Sequence, residues 1–269
     1  FLNFKPDIVV NFVAHSHVDT SISNSRLFLE NINGTYNLLE NSLIVFKKKK
    51  IKYLQISTDE VFGEIEKGAF NSESPYKPNS PYSASKASSD HLVRVYNRTY
   101  GLPTSTTYSC NNYGPFQHLE KLIPLTIYSF LSKKKMGIYG EGLQKRQWIH
   151  VDDNIDAIHK VMQSKFNGLT HCIGSKYESK NLDLVKKIIK ILHYRHYNNK
   201  SFDFYDYVKF VNDRPGHDQR YFLDYKKISN EFNWKQKIDL DLGLVKTINW
   251  YVNNSSWIKS QKKKLKKYF

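Results

Sequence analysis

Cysteine is scarce: Cys110 and Cys172 are the only two in 269 residues. Two thiols cannot build a disulfide framework, and their spacing fits neither a zinc site nor a CxxC motif. A reducing compartment, the cytoplasm, is the default that follows. Long apolar runs are missing too. Nothing approaches the roughly 20 consecutive apolar residues that cross a bilayer, and Phe1 to Asp7 does not read as a signal peptide. No membrane partner is expected. The chain also lacks the apolar poverty of disordered sequences, with 40% hydrophobic and 14% aromatic residues. Membrane spans, disulfide scaffolds and zinc modules are excluded, and the length suits one large core or two modest domains.

Acidic residues are outnumbered, 25 against 41 basic ones, for a net charge of +16. That balance raises the question of a nucleic acid partner. Six of the lysines, however, crowd between Lys259 and Lys267, and others sit in scattered blocks such as Lys47 to Lys50 and Lys133 to Lys135. Such runs are usually solvated faces, so no nucleic acid partner is expected. A basic surface still draws in a nucleotide diphosphate. The end of the chain, 259–269, reads as a basic tail that frays.

What is present is an alternation of strands and helices. Asp7 to Ala14 is a short run rich in β-branched residues, the mark of a buried strand. Ser23 is placed to cap a helix with Leu27, Ile32, Tyr36, Leu39 and Leu43 along one side. A strand over Ile51 to Ser57, a helix from about Ser83 to Tyr100 and a strand over Thr104 to Ser109 follow. This rhythm predicts right-handed βαβ units and a parallel sheet. Past Asn112 the rhythm loosens, with loop punctuation at Tyr113 to Pro115 and Gly137 to Gly142. A strand at Trp148 to Val151 and a helix capped by Asp152 or Asp153, running to about Gln163, come next. A strand at Leu169 to Ile173, an amphipathic helix at Asn181 to Leu192 and a late helix at Asp241 to Tyr251 complete the expected elements. The sequence opens on a strand with no Gly-rich turn before it.

Two short motifs can carry chemistry. Ser57-Thr-Asp-Glu-Val-Phe-Gly63 stands where the second strand ends, and open parallel sheets bind ligands beyond the carboxyl ends of their strands. Adjacent carboxylates there can act as acid and base, although a lone Asp-Glu pair is more often a solvated turn. Tyr82-Ser-Ala-Ser-Lys86 starts the next long helix, just after Asn79-Ser-Pro81. A spacing of four sets phenol and ammonium on one helical face. The cation favours phenolate there and makes the tyrosine a base nearer neutral pH. YxxxK alone is common on exposed helices; a preceding strand that ends in Ser-Thr-Asp-Glu gives it weight.

Further blocks extend the pattern: Ser16-His-Val-Asp19, Asn111-Asn-Tyr-Gly-Pro115, Lys121-Leu-Ile-Pro124, Tyr139-Gly-Glu-Gly-Leu-Gln144 with Arg146 and Trp148, and Asp213-Arg-Pro-Gly-His-Asp218. In this order they resemble the extended short-chain dehydrogenase/reductase family, specifically its nucleotide-sugar 4,6-dehydratases of the dTDP-glucose 4,6-dehydratase type, over about Pro6 to Tyr251. The resemblance implies an α/β fold: a Rossmann-like doubly wound parallel sheet, N-terminally incomplete, with a smaller interleaved α/β substrate domain. The NAD-binding domain would take 1–113 and 147–175, and the nucleotide-sugar domain 114–146 and 176–258. It also implies a hydro-lyase with tightly held NAD, acting on a nucleotide-diphosphate sugar as a homodimer. Dehydration of dTDP-glucose would give dTDP-4-keto-6-deoxyglucose.

The roles implied follow by position. Tyr82 would take the proton of the sugar 4-hydroxyl while hydride passes from C4 to NAD, with Lys86 tuning the phenol and Thr58 hydrogen-bonding the C4 oxygen. Glu60 would remove the C5 proton, Asp59 would protonate the departing C6 hydroxyl, and hydride would return to C6. Phe12, Val13, Ala14, His15, Ser16, Asn31, Tyr82, Lys86 and Asn112 match the cofactor-binding positions. Ser16, Thr58, Asn111, Lys121, Leu122, Tyr139, Arg146 and Asn181 match substrate positions, as do Arg214 and His217, with Arg214 suited by its fork to a pyrophosphate. An epimerase needs only the Tyr-Lys pair and a sugar-acid decarboxylase needs no acid for a leaving hydroxyl, so Asp59 beside Glu60 favours the dehydratase.

The sequence departs from the family at His15, where Glu is usual, at Asn31 for Thr, Phe62 for Tyr, Tyr108 for Arg and Gln147 for Asp. His15 and His17 form an HxH with no third ligand in view, so no metal is expected. The family's opening strand, GxxGxxG loop and second βα unit, on the order of 70 residues, have no counterpart in the sequence. The expectation is therefore weak NAD binding by the chain as written. The alternatives are a UDP-glucose 4,6-dehydratase, another NAD-dependent nucleotide-sugar epimerase or decarboxylase, and an inactive scaffold.

Overall fold

β-Branched and aromatic residues supply the strands of the computed structural model, in which residues 1, 3–197 and 201–261 are described. In chain order the elements are β1 (Ile8–Asn11), α1 (Val18–Ser23), α2 (Leu29–Phe46), β2 (Lys52–Thr58), α3 (Pro81–Tyr100), β3 (Thr104–Ser109), β4 (Asn111–Tyr113), α4 (Leu122–Leu131) and β5 (Met136–Tyr139). They continue with β6 (Lys145–His150), α5 (Val151–Gln163), β7 (Thr170–Ile173), β8 (Glu178–Lys180), α6 (Asn181–Tyr197), β9 (Val208–Val211), α7 (Lys226–Phe232), α8 (Leu240–Asn253) and α9 (Ser255–Gln261).

Two units share these elements. The first takes Phe1–Cys110, Asn154–Ser175 and Pro215–Lys235. Its sheet runs in the order β1-β2-β3-β7, every neighbour parallel, with Asn11 beside Gln55 and Gln55 beside Thr106. The predicted parallel sheet is present. Apolar residues of α2 and α3 cover it, with Leu39, Val45, Ile51, Tyr53, Val93, Tyr96 and Leu102 in one buried cluster. Some of the polar strand residues under this cover bond to one another. The Asn11 amide donates to the Tyr53 hydroxyl and to Gln55 Oε1, each at 3.1 Å.

The second unit takes Asn111–Asp153, Lys176–Arg214 and the chain from Gln236 onward. Strands β4, β6 and β8 form one small sheet, with β6 and β8 antiparallel, and β5 pairs with β9 in parallel. Its core gathers α4, α6 and α8 through Ile123, Ile127, Leu184, Ile188, Leu192, Leu244 and Ile248. Residues 111–113 and 147–153 thus lie with the second unit and 215–235 with the first, where the sequence reading had them the other way round. Strand β6 draws 147–150 along with its partners β4 and β8, and a bridge between Phe70 and Leu223 ties the 215–235 segment to the first unit.

Several local expectations need correction. The first strand ends at Asn11, short of Ala14. Ser23 caps no helix: it closes α1, and a 3-10 turn at Ser25–Phe28 leads into α2, which starts at Leu29 without a side-chain cap. A serine before an amphipathic run can end one helix as readily as begin another. Neither Asp152 nor Asp153 precedes α5, since both lie inside its first turn. Asp153 instead accepts from the backbone N–H groups of Lys237 and Ile238 at 3.0 and 2.9 Å. Of the expected basic tail, Lys259 belongs to α9, and residues 262–269 lie outside the described residues.

Candidate active site

The motif at the end of β2 folds into a tight acidic turn. Thr58 is the last strand residue and caps the 3-10 turn Asp59–Phe62, its hydroxyl accepting from the Glu60 N–H at 3.3 Å. The same hydroxyl donates to Asp59 Oδ1 at 3.1 Å. Gly63 closes the turn at φ 78°, and a Cβ there would lie 2.2 Å from the Lys77 carbonyl oxygen. Only glycine satisfies both demands. Asp59 is 3% exposed, while Glu60 is half-buried.

Helix α3 brings the second motif to this turn. Ser80 caps it in a reciprocal box with Ser83, and Pro81 opens its first turn. Tyr82, in that first turn, is 8% exposed, and the Thr58 hydroxyl is among the groups that act on its phenol. Burial, followed by the charges of Glu60 and Asp59, pushes its phenol well above the ordinary range; the Thr58 hydrogen bond is the one influence that draws it down. Lys86 is also buried, and its ammonium donates to the Ile56 carbonyl at 2.7 Å rather than to the phenol, so the expected lowering of the Tyr82 phenol by this cation is not present: burial outweighs it. Burial lowers its pKa, with the Asp90 carboxylate opposing.

Asp90 is the acidic residue that sequence motifs missed. It stands four residues beyond Lys86 on the same helix, fully buried, with the Ser57 hydroxyl donating to Oδ2 at 2.5 Å. Burial raises it to about 7, opposed by the Lys86 charge and the Ser57 hydrogen bond. The repeated spacing of four from Tyr82 through Lys86 to Asp90 is the signal that could have found it.

The segment after β1 is held by Asn31 on α2. Its Oδ1 accepts from the His15 N–H at 2.7 Å, and its Nδ2 donates to the His15 carbonyl and to Ser85 Oγ at 3.1 and 3.0 Å. Asn31 thus acts here as a clamp on the backbone. Phe12 and Val13, beyond the strand's carboxyl end, are 54% and 77% exposed. The His15 ring pairs with Glu30 at 2.9 Å, and His17 caps α1 through Nδ1, so the two imidazoles serve different partners. His217 belongs to this unit as well.

The remaining predicted residues lie in the second unit. Asn111 and Asn112 form β4, opposite Trp148 and Ile149 of β6. Lys121 is the residue before α4, its ammonium 3.7 Å from Glu120, and Leu122 opens that helix. Tyr139 ends β5, with the Arg214 guanidinium 5.9 Å from its ring centre. Arg146 is buried on β6 and donates to the Lys145 carbonyl at 2.8 Å. Asn181 starts α6, its N–H donating to the Gln144 carbonyl at 2.9 Å, and its buried Oδ1 has no hydrogen-bond partner. Gln144 also donates to Asp213 Oδ2 at 2.9 Å, which fastens the loop carrying Arg214.

Comparison with known proteins fits this arrangement. Residues 1–247 match a family model described as GDP-mannose 4,6 dehydratase. The dTDP-glucose 4,6-dehydratase of Haemophilus influenzae is 44% identical over 95% of this chain and 79% of its own length. That of Salmonella typhimurium is 44% identical over 97% of this chain and 77% of its own. A dTDP-glucose 4,6-dehydratase of Streptomyces venezuelae, solved with NAD bound, superposes with a TM-score of 0.89 at 39% identity, covering 95% of this chain and 76% of that one. On this shared sequence and fold, the chain belongs to the extended short-chain dehydrogenase/reductase family, in its branch of nucleotide-sugar 4,6-dehydratases.

Proposed function

We propose that this chain is a dTDP-glucose 4,6-dehydratase that forms dTDP-4-keto-6-deoxyglucose and water, with NAD as its cofactor. The observation that carries the reading is the turn at the end of β2, where Thr58, Asp59 and Glu60 stand together and all three act on the Tyr82 phenol. An elimination of water needs an acid and a base beside the group that accepts the 4-hydroxyl proton. An epimerase would have no use for the carboxyl pair.

The residues present fit the cofactor: exposed apolar Phe12 and Val13 beyond a parallel strand's carboxyl end offer a surface for a dinucleotide. Residues 12–16, Tyr82, Lys86 and Asn112 would hold it, with Asn31 steadying His15. When bound, NAD supplies a hydride acceptor for the C4 hydrogen and returns that hydride at C6. Tyr82 takes the proton of the 4-hydroxyl, and Thr58 hydrogen-bonds the C4 oxygen. The resulting 4-ketone acidifies the C5 hydrogen, which Glu60 removes. Asp59 protonates the C6 hydroxyl, which leaves as water, and Glu60 returns its proton at C5. Ser16, Asn111 and His217 contact the substrate in this reading; Lys121, Leu122, Tyr139, Arg146, Asn181 and Arg214 hold its nucleotide diphosphate.

None of the described helices is long and apolar enough to cross a membrane, and the reading places the protein in the cytoplasm. Exposed Leu29 and Tyr36 on α2 and Val95 on α3 support a homodimer, which sedimentation would test. The function itself is tested by incubating the chain with dTDP-glucose and, separately, UDP-glucose, with and without added NAD, and reading product masses. A dTDP-linked product lighter by one water is expected; an isomer of unchanged mass would replace this reading with an epimerase.

A further inference from the structure

A period of two along β3 sets Thr104, Thr106 and Tyr108 on one face of the sheet. A spacing of four sets Asp90, Arg94 and Arg98 in one row on α3. The two rows line a common cavity of about 350 Å³, with the loop 72–76 as a further wall. Every lining residue belongs to the first unit. Thr58, Asp59, Glu60, Tyr82 and Lys86 are not among them.

The walls differ in chemistry. Thr104 and Thr106 are buried, and among the described residues their hydroxyls make no hydrogen bond. Tyr76 and Tyr108 share a hydrogen bond between their own hydroxyls at 2.5 Å. Arg94 and Arg98 are exposed, and among the described residues neither guanidinium forms an ion pair, not even with Glu73 on the same cavity. Like charges one helical turn apart repel, so this pair costs the helix stability unless an anion joins it. Asp90 does not fill that role. One of its oxygens accepts from Ser57, and burial raises its carboxyl to about 7, which keeps much of it neutral up to that pH.

A guanidinium's planar fork matches two oxygens of a phosphate. Hydroxyl and amide walls suit a polyol, and the volume falls in the roughly 300–1,000 Å³ range of small-molecule sites. We propose that this cavity binds a hexose monophosphate, with Arg94 and Arg98 on the phosphate and Thr104, Thr106 and Asn97 on the sugar hydroxyls. The proposal stands apart from the dehydratase reading and does not depend on it. The cavity nevertheless backs onto the acidic turn. The Tyr76 ring packs on Phe62 with centres 5.6 Å apart, and the Lys77 N–H donates to the Val61 carbonyl at 3.0 Å. An occupant resting on Tyr76 is thus one ring away from the segment that carries Asp59 and Glu60.

Calorimetry of the full chain with glucose 6-phosphate tests the site, with inorganic phosphate and glucose as the two halves of the ligand. Glucose 6-phosphate should bind, inorganic phosphate should bind about tenfold more weakly, and glucose should give no measurable heat. Arg94→Gln and Arg98→Gln, at exposed positions outside the core, should each weaken glucose 6-phosphate by about tenfold. Thr106→Val keeps the side-chain shape and should weaken it by a smaller factor. Arg214→Ala should leave this binding unchanged, which separates the cavity from the proposed diphosphate site. Nitrogen-15 NMR should show the ligand shifting the amides of 72–76 and 104–108. Equal affinity for inorganic phosphate overturns the hexose assignment. No binding of glucose 6-phosphate, parental affinity in the Arg94→Gln/Arg98→Gln double variant, or amide shifts confined to other residues overturns the site.

Discussion

Asp90 is a buried acid one helical turn beyond Lys86, whose charge it opposes. Its carboxyl accepts from the Ser57 hydroxyl and is opposed in charge by the Lys86 ammonium, its own charge raises the Tyr76, Tyr82 and Tyr108 phenols, and it lines a cavity of about 350 Å³ together with His91 and Arg94. Its pKa is raised from 3.8 to about 7, so the folded chain holds a proton that the unfolded chain gives up in that window. The stabilisation is complete below 3.8 and is lost as pH climbs through about 7. Asp90→Asn should therefore gain thermal stability relative to the parent between pH 4.5 and about 7, as followed by circular dichroism. A constant difference across that range would contradict the raised carboxyl. Glu60→Gln bears on the reaction itself. It should cut dehydration by about 10²–10⁴-fold and stop deuterium entering C5 in heavy water, read by mass spectrometry.

At the scale of elements, α3 is the part on which the site depends. Its capping box holds the turn that carries Tyr82, so Ser80→Ala should cost about 1 kcal/mol in urea unfolding. In the second unit, Gly243 on α8 lies against the Tyr113 hydroxyl, and a Cβ there would sit 2.1 Å from that oxygen. Gly243→Ala should destabilise by roughly 1–3 kcal/mol, and Tyr113→Phe should recover part of the loss. Much of this was legible in sequence. An amphipathic pattern located α6, because apolar periodicity reports directly on burial, while β2, α3 and β3 were placed by the alternation of strands and helices around them. Strands β4, β5, β8 and β9 escaped notice: at three or four residues each, they carry no period and exist only through their partners. The Thr58-Asp59-Glu60 turn could be read because it is one stretch of chain. Asp90 was signalled only by its spacing of four from Lys86, and the Asn31 clamp by nothing local, since its partners His15 and Ser85 are distant in sequence.

For the molecule as a whole, the charge of +16 has a measurable consequence. Affinity for a nucleoside diphosphate should fall as salt rises. Arg214→Ala should weaken binding and flatten that dependence in calorimetry, and an unchanged salt slope would remove Arg214 from the diphosphate's reach. The interleaved course of the backbone has another. The chain passes from one unit to the other at 110, 153, 175, 214 and 235, so the four-stranded sheet receives its last strand only after β4, β5 and β6 have been made. During synthesis the first unit must wait, partly assembled, until the segment ending at Lys235 has left the ribosome, and the second waits longer, for α8. A gene cut at 153, 175 or 214 would yield two pieces of which neither holds a whole unit, whereas a cut at 110 or 235 would leave one unit intact in a single piece.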